Sequence, residues 1–258
     1  LSHIDSAALA GYGFTHGSLP IRYIGLPLMS RKLRMAEYAP LIEKSSAKFN
    51  AWVVLSLSFA GRIQLISTVI SGLINLWTFA FILPLGCIRK IESLCSRFLW
   101  SGNIEKKGLT KVSWAKVCLP KDEGGLGLKR VASWNRTLCL RMIWLLFSSS
   151  GSLWVAWHLF HNFSKTTSFW NQREKANDSW NWKCILRLRI LAIRFIKCVI
   201  GNGTKASFWF DNWTIHGPLI NFIGIDGPRS LRVSINATVS NACDVNGWTL
   251  ADPRTDNA

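Results

Sequence analysis

The pattern of hydrophobic and polar positions predicts a chain that is mainly α-helical. Apolar residues recur at three- and four-residue steps, the period of an amphipathic helix. The predicted helices cover residues 35–52, 59–82, 87–100, 130–147, 152–163 and 181–195. The first three follow one another closely, which predicts a small helical bundle.

Two short segments have the pattern of β structure. Residues 19–28, "LPIRYIGLPL", alternate polar and apolar side chains between prolines and predict a strand or hairpin arm. Near residues 198–210, Asn202 and Gly203 stand between strand-like runs; both tolerate positive φ, so the sequence predicts a short β-hairpin there. The expected fold is therefore mainly α, a helical bundle followed by an α+β connector that holds this hairpin.

Two long uncharged runs raise the question of membrane spans. Residues 65–88 carry no charge and are long enough to cross a bilayer. Pro84 and Gly86 end that helix, and a second run, 142–164, is split by "SSSGS". The helix predicted for residues 59–82 also has a polar stripe, made of Gln64, Ser67, Ser71, Asn75 and Thr78. We expect buried helices and no membrane; a small basic membrane protein is the alternative.

Composition favours a polyanionic partner. The chain has 31 Lys and Arg residues against 14 Asp and Glu, a formal net charge of +17. Such a balance suits nucleic acid. The seven cysteines are irregularly spaced without a Cys-x-x-Cys pair, which is typical of reduced thiols. With no signal-peptide pattern at the start, the expected location is nuclear or cytoplasmic.

The sequence offers no convincing catalytic or metal site. The stretch "GNGTKASFWFDNW", 201–213, lacks the Lys-Ser/Thr pair and the helix that a phosphate loop needs, and Asp211 is expected to cap a turn with Asn212. The run "GGLGL", 124–128, is also expected to be a turn. His158 and His161 lie one helical turn apart without a further ligand at useful spacing. We therefore expect no catalytic residue, no metal and no cofactor.

Basic residues are the better candidates for function. Arg31, Lys32 and Arg34 cluster before the first bundle helix, and Arg62 lies in the first turn of the second. Contacts with phosphates need such charges. A further basic run holds Lys183, Arg187, Arg189, Arg194 and Lys197. For any one of these residues, a solvated helix face is the alternative.

Five blocks of sequence carry a resemblance to a known family. They occur in this order: "LPIRYIGLPLMSRKLRMAEYAPLIEK", "WVVLSLSFAGRIQLISTVI", "FLWSG", "KVSWAKVCLPKDEGGLGLK" and "GNGTKASFWFDNW". The chain resembles plant LINE-type (non-LTR) retrotransposon reverse transcriptase polyproteins over residues 1–225. The similar region follows the polymerase active site and precedes the zinc-binding segment.

The resemblance implies a division of the chain. Residues 1–30 resemble the end of the palm with a hairpin that grips the primer, 31–111 a helical thumb and 112–225 a connector. Residues 226–258 are expected to be a poorly ordered, truncated tail. The implied partners are an RNA–DNA or DNA duplex and the missing palm domain. The expected nucleic-acid contacts are Arg22, Tyr23, Gly25, Arg31, Lys32, Arg34 and Arg62, with Ile24 also in the grip-like turn.

The departures from the family determine what activity is expected. The family's polymerase uses a Tyr/Phe-x-Asp-Asp motif that binds two magnesium ions. No Asp-Asp dipeptide occurs in this chain. The resemblance therefore implies a fragment that is not an enzyme on its own, with magnesium belonging to the missing palm. The alternative is an inactive remnant with no function.

Overall fold

The computed structural model describes residues 19–29, 31–53, 56–106, 110–148, 151–163, 168–245 and 247–250. The chain divides into two compact units, the first ending at Arg136 and the second beginning at Thr137. Helices dominate the described part, and its strands form two small antiparallel pairs. The mainly α class is confirmed.

The first unit opens with a tight β-hairpin. Strands β1, Ile21–Tyr23, and β2, Leu26–Leu28, are antiparallel, with Tyr23 opposite Leu26. Ile24 and Gly25 form the two-residue turn, with φ of 51° and 80°. A two-residue turn with positive φ at both central residues matches the twist of the paired strands. The β structure predicted for residues 19–28 is confirmed as a complete hairpin.

Three long helices follow the hairpin and form a bundle. They are α1, Ala39–Val53, α2, Phe59–Ala80, and α3, Leu85–Ser101. The Ser58 side chain caps α2 by accepting from the Gly61 N–H at 3.2 Å, and Gly102 ends α3 with φ of 71°. Side chains buried between the helices include Leu41, Phe49, Ile66, Ile70, Ile74, Trp77, Ile91, Phe98 and Leu99. The three helices lie where the sequence predicted them.

Helix α2 changes its hydrogen bonding in the middle. Residues Ile66–Ile70 form a π-helical turn. Because a π turn holds more residues than an α turn, the face of the helix rotates there. Gln64 is therefore exposed, whereas Asn75 and Thr78 turn inward: Asn75 Oδ1 accepts from Trp134 Nε1 at 2.7 Å, and Thr78 is buried. The predicted polar stripe is thus not a single solvent-facing stripe.

Helix α2 also bears on the membrane alternative. Among the described residues it is the one helix whose length and composition would allow it to cross a membrane. Its buried positions Ile66, Ile70 and Trp77 belong to the core of the first unit. Leu76 and Phe79 on the same helix are exposed.

A tight loop and the first residues of a further long helix complete the first unit. The loop holds the short helix α4, Trp114–Val117, and a 3-10 turn, Lys121–Glu123. Gly124 ends that turn with φ of 80°, and Leu126 N–H donates to Val117 O at 2.8 Å. "GGLGL" is therefore a turn, as predicted. Helix α5, Val131–Phe147, contains the boundary between the units.

Among its described residues, the second unit has five shorter helices. They are α6, Leu153–Asn162, α7, Trp180–Arg187, α8, Arg189–Ala192, α9, Leu219–Ile223, and α10, Gly227–Ser230. The helix predicted for 181–195 is interrupted at Leu188. Arg189 Nε donates to Leu186 O at 2.7 Å next to this break. One core of the unit is built from Ile143, Phe169, Trp182 and Ile185.

The hairpin predicted near residues 198–210 is not formed, which corrects that expectation. The segment consists of bends and turns, and it bonds to a distant stretch: Phe208 N–H donates to Ala237 O, and Val239 N–H to Ala206 O, both at 2.9 Å. Adjacent Phe208 and Trp209 are both buried, whereas successive side chains of a half-exposed strand point to opposite faces. The second hairpin is β3, Cys243–Asp244, with β4, Gly247–Trp248.

The C-terminal residues also differ from the expected disordered tail. Between 226 and 250 the structure has α10, a 3-10 turn Val239–Ala242 and the second hairpin. Val233, Ala237 and Ala242 are buried against Phe208 and Trp209. A few apolar residues therefore suffice to order this polar segment. Residues 251–258 lie outside the described part.

The predicted absence of a metal site at His158 and His161 rests on spacing, and the structure gives both rings aromatic neighbours. The buried His158 ring stacks on Trp182 with centroids 4.2 Å apart, and His158 Nδ1 lies 2.6 Å from Asn162 Nδ2. The His161 ring lies 4.6 Å from that of Trp157. Burial lowers the pKa of His158 to about 4, although Asp178 opposes the shift.

This histidine gives a testable pH dependence. Since the pKa of His158 is about 4 in the folded chain and 6.5 otherwise, the unfolded chain binds the proton more readily. Its contribution to stability is complete above pH 6.5 and is lost progressively as the pH falls to about 4. Urea unfolding at several pH values should show this slope. In His158→Phe the slope in that window should flatten; an unchanged slope would exclude His158 as its cause.

Candidate nucleic-acid interface

The tip of the first hairpin is exposed to solvent. Leu26 and Met29 pack against the core of the first unit and anchor its base. Arg22 is exposed on β1, and Tyr23 and Ile24 are 63% and 71% exposed. A β-branched residue at positive φ is sterically costly, so the surrounding hairpin must hold Ile24 in place. A cation, a phenol ring and an apolar side chain therefore lie together on one small tip.

The basic cluster after the hairpin is organised around an acid that sequence reasoning missed. Arg31 Nη2 and Nη1 donate to the Glu37 carboxylate at 2.5 and 3.3 Å, and the Arg34 backbone N–H donates to the same group. Hydrogen bonds from the Arg31 side chain and then the Arg34 backbone lower the pKa of Glu37. Glu37 stands three residues after Arg34, the spacing of a capping box, which could have revealed it.

Glu37 changes what this cluster offers to a ligand. With Arg31, Lys32 and Arg34 positive and Glu37 negative, the local charge is +2 rather than +3. The Arg31 guanidinium is already engaged, whereas Arg34 meets Glu37 through its backbone. Within the cluster, the Arg34 side chain is thus better placed than that of Arg31 to meet a phosphate.

Arg62 has a structural contact. Its Nη1 donates to Leu99 O at 3.1 Å, near the end of α3, and its guanidinium lies where a Cβ on Gly102 would come within 2.9 Å. A cation at a helix C-terminus compensates the unpaired carbonyls there. The half-buried Arg62 therefore supports the bundle, and its contact with nucleic acid stays a prediction.

The structure does not gather the predicted contacts into one patch. Met35, next to Arg34, lies beside the start of α3: its Cε would be 3.4 Å from a Cβ on Gly86. Arg62 lies at the other end, beside Leu99. The rise along α3 between Gly86 and Leu99 is about 20 Å. A ligand that touched both ends would have to be an extended one, as a duplex is.

The basic run of the second unit is largely used by the fold. Arg187 Nε and Nη2 donate to the Glu174 carboxylate at 2.8 and 3.0 Å. Arg189 Nη1 donates to Phe169 O and Trp170 O, each at 2.9 Å. Lys183 Nζ donates to Ala176 O at 2.9 Å. Their backbone and acidic partners lie before the run, so inspection of the run alone could not identify them.

Asp211 caps a turn as expected from the sequence, whereas Asn212, expected to share that turn, bonds a distant carbonyl. Its Oδ2 accepts from Ser207 N–H at 2.7 Å, and Asn212 Nδ2 donates to Ile193 O at 3.0 Å. Burial raises the pKa of the Asp211 carboxyl above its usual range. Within the described ranges, no three His, Cys, Asp or Glu side chains come together as a metal-binding group.

Comparison with known proteins gives two relatives from Arabidopsis thaliana. The chain is 30% identical over 241 residues to a "putative ribonuclease H protein", covering 90% of this chain and 38% of that protein. It is 26% identical over 126 residues to an uncharacterized mitochondrial protein, covering 48% of this chain and 81% of that one. No protein-family model matches the chain. The relatives are consistent with a chain derived from a plant transposable element.

Proposed function

We propose that this chain is the thumb and connector region of a plant LINE-type retrotransposon reverse transcriptase and that it binds an RNA–DNA duplex. The observation that carries the proposal is the hairpin tip, with Arg22, Tyr23, Ile24 and Gly25 exposed beside a three-helix bundle. A rigid tip of this kind can lie against a primer strand, and the neighbouring bundle can support the duplex.

Charge supports the same proposal. The chain carries a formal net charge of +17, and Arg22, Lys32 and Arg34 are exposed on the hairpin and the segment after it. Phosphate contacts provide most of the affinity in sequence-independent binding, and they make it sensitive to salt. The roughly 20 Å between the two ends of α3 corresponds to about six base-pair steps of duplex.

We propose a binding role without catalysis for this region. The chain spans 38% of the relative described as a ribonuclease H protein, so that name concerns a much longer protein. Two-metal hydrolysis of a phosphodiester needs converging carboxylates. In the part of the chain that the structure describes, the acids Glu37 and Glu174 are instead bound to arginines. Magnesium would belong to the palm of the whole polymerase.

A membrane role is disfavoured by the surroundings of α2. Asn75 in this helix accepts a hydrogen bond from Trp134, and Asn135 donates to the Thr78 carbonyl at 3.2 Å. These bonds attach α2 to α5. If α2 left the core for a bilayer, it would lose them and expose unpaired polar groups to hydrocarbon, which is costly. We therefore assign α2 to the core of the first unit.

The proposal predicts salt-sensitive duplex binding that depends on the hairpin. Affinity for a labelled RNA–DNA duplex, followed by fluorescence anisotropy, should fall by roughly a hundredfold or more between 50 and 200 mM salt. Arg22→Glu should weaken binding at least about fivefold and reduce the salt slope by about one. Each phosphate contact that is lost lowers the number of counterions released on binding, and this number sets the slope of affinity against salt.

Arg136→Glu is the matched control, since Arg136 is exposed on α5 of the same unit. It makes the same change in net charge at a residue outside the predicted contact set. Equal losses in the two variants would contradict the hairpin contact. Binding that is absent, or independent of salt, would contradict the function and favour an inactive remnant.

A further inference from the structure

A cleft in the second unit lies between the end of α6 and the extended segment that follows residue 171. It has a volume of about 320 Å³. Its walls include Phe160, His161, Phe163, Gln172, Arg173 and Lys175. None of these residues belongs to the predicted contact set, which lies in the first unit. The cleft combines aromatic rings, a buried amide and two cations.

The first wall is aromatic and open. Phe160 is 83% exposed near the C-terminus of α6, and the adjacent His161 ring meets it edge-on with centroids 5.0 Å apart. A phenylalanine this exposed contributes little to the core and costs solubility. Its face is available for a flat ligand ring to stack on.

The floor of the cleft is a buried amide. Gln172 is only 4% exposed, and its Nε2 donates to Asn162 O at 2.7 Å, which fixes the orientation of the amide. Its Oε1 is buried without a hydrogen-bond donor among the described residues. A buried acceptor without a partner is uncommon in proteins. The cleft therefore includes an acceptor that the described part of the chain leaves without a donor.

The rim is cationic because Glu174, the acid between its two basic residues, is bonded to Arg187. Arg173 and Lys175 line the cleft, whereas Glu174 between them is held by both nitrogens of Arg187 at 2.8 and 3.0 Å. Neither rim cation takes part in an ion pair of the described residues. Asp178 accepts from the Lys175 backbone N–H, not from its ammonium group. Two positive side chains therefore stand next to the exposed ring.

We propose that this cleft binds one nucleotide of a single-stranded nucleic acid, with the base on the Phe160 ring and the flanking phosphates at Arg173 and Lys175. Aromatic stacking with a base contributes about 1–3 kcal/mol and tolerates any sequence. It requires an unpaired base, since the faces of bases within a duplex are already covered. The cleft volume, about 320 Å³, is that of a small-ligand site. This binding site goes beyond the duplex contact of the first unit.

The test compares variants of the whole chain on a short single-stranded RNA of mixed sequence and on the RNA–DNA duplex. Arg173→Glu combined with Lys175→Glu should weaken single-strand binding about tenfold or more and lower the salt slope by about two. Phe160→Ala should weaken it roughly tenfold, and Phe160→Tyr should keep most of the affinity. Because Phe160, Arg173 and Lys175 are exposed, these variants should fold normally.

The control variant combines Lys205→Glu with Arg229→Glu, two exposed cations of the same unit that lie outside the cleft and outside the candidate basic run. It makes the same charge change and should alter single-strand affinity by less than about twofold. Equal losses in control and cleft variants, or no effect of Phe160→Ala, would overturn the proposal. Displacement of the RNA by free mononucleotide as readily as by unlabelled strand would overturn it in favour of a mononucleotide site. Arg22→Glu should weaken binding of the duplex and leave binding of the single strand unchanged. The proposed duplex contact and the proposed single-strand site can therefore be disproved independently.

Discussion

Replacing Asn135 by alanine should lower the free energy of unfolding by roughly 3–5 kcal/mol. Asn135 is 2% exposed on α5, and its amide joins three backbone groups at the end of α2 and just after it. Its Oδ1 accepts from Leu83 N–H at 2.8 Å, while Nδ2 donates to Thr78 O at 3.2 Å and Phe81 O at 2.9 Å. Alanine would leave these three buried or half-buried groups without their partners.

The loss arises from these unpaired backbone groups and not from helix propensity. Alanine is a better helix former than asparagine, so the local effect of the substitution on α5 is favourable. The carbonyls of Thr78 and Phe81 lie at the end of α2, where the helix provides no partners of its own. The segment around Leu83 would lose its attachment to α5, and with it the entry into α3.

Asn50→Ala is the matched control for this variant. Asn50 lies inside α1 of the same unit and is exposed, so the same substitution should change stability by less than about 0.5 kcal/mol. Urea unfolding followed by circular dichroism measures both variants. Similar midpoints for Asn135→Ala and Asn50→Ala would show that the Asn135 amide contributes little.

The second large effect is expected at Gly125. A Cβ at this position would lie 2.0 Å from Leu119 O and 2.4 Å from its carbonyl carbon. Both atoms belong to the backbone, and the loop is held by Gly125 N–H donating to Pro120 O and Gly127 N–H to Leu119 O, each at 2.9 Å. Gly125→Ala must therefore move the loop, and it should cost roughly 2–4 kcal/mol of stability.

The neighbouring Gly124 separates crowding from backbone conformation. It has φ of 80° and open space around the position of a Cβ. Asparagine tolerates this conformation, so Gly124→Asn should cost about 1 kcal/mol or less. Thermal unfolding of the two variants would distinguish them. A larger loss in Gly124→Asn than in Gly125→Ala would contradict the assigned roles of these glycines.

Much of the helical architecture could be predicted because its signals are local. The apolar spacing of α1, α2 and α3 reproduces the bounds of the helices to within a few residues. Ser58 marks a helix start through its side-chain oxygen, and Gly102 marks a helix end through its positive φ. The hairpin at residues 19–28 was also visible, since it depends on neighbours in sequence. The cleft at Phe160 was not visible, because Phe160 and Arg173 come to line one cleft only in the folded chain.

The candidate contacts show that the pattern of basic residues does not predict which of them are available to a ligand. Charge alone identified Arg31, Arg62 and Arg187, but it could not show that each already has a partner in Glu37, Leu99 or Glu174. The exposed Arg22 and Tyr23 remain the stronger part of the predicted set, and their role in binding stays a prediction. Which cations are available is a property of packing rather than of composition.

The sequence by itself determined the helices, the first hairpin, the excess of positive charge and the lack of an Asp-Asp pair, because each depends on residues close together in the chain. Only the tertiary structure decided the course of residues 198–210. Local signals there favour a hairpin, but Ser207 pairs with Thr238 and Gly203 lies against Ser240. Burial of Phe208 and Trp209 among residues more than twenty positions away favours this pairing over the local turn. Long-range burial of this kind has no period along the chain that sequence inspection could detect.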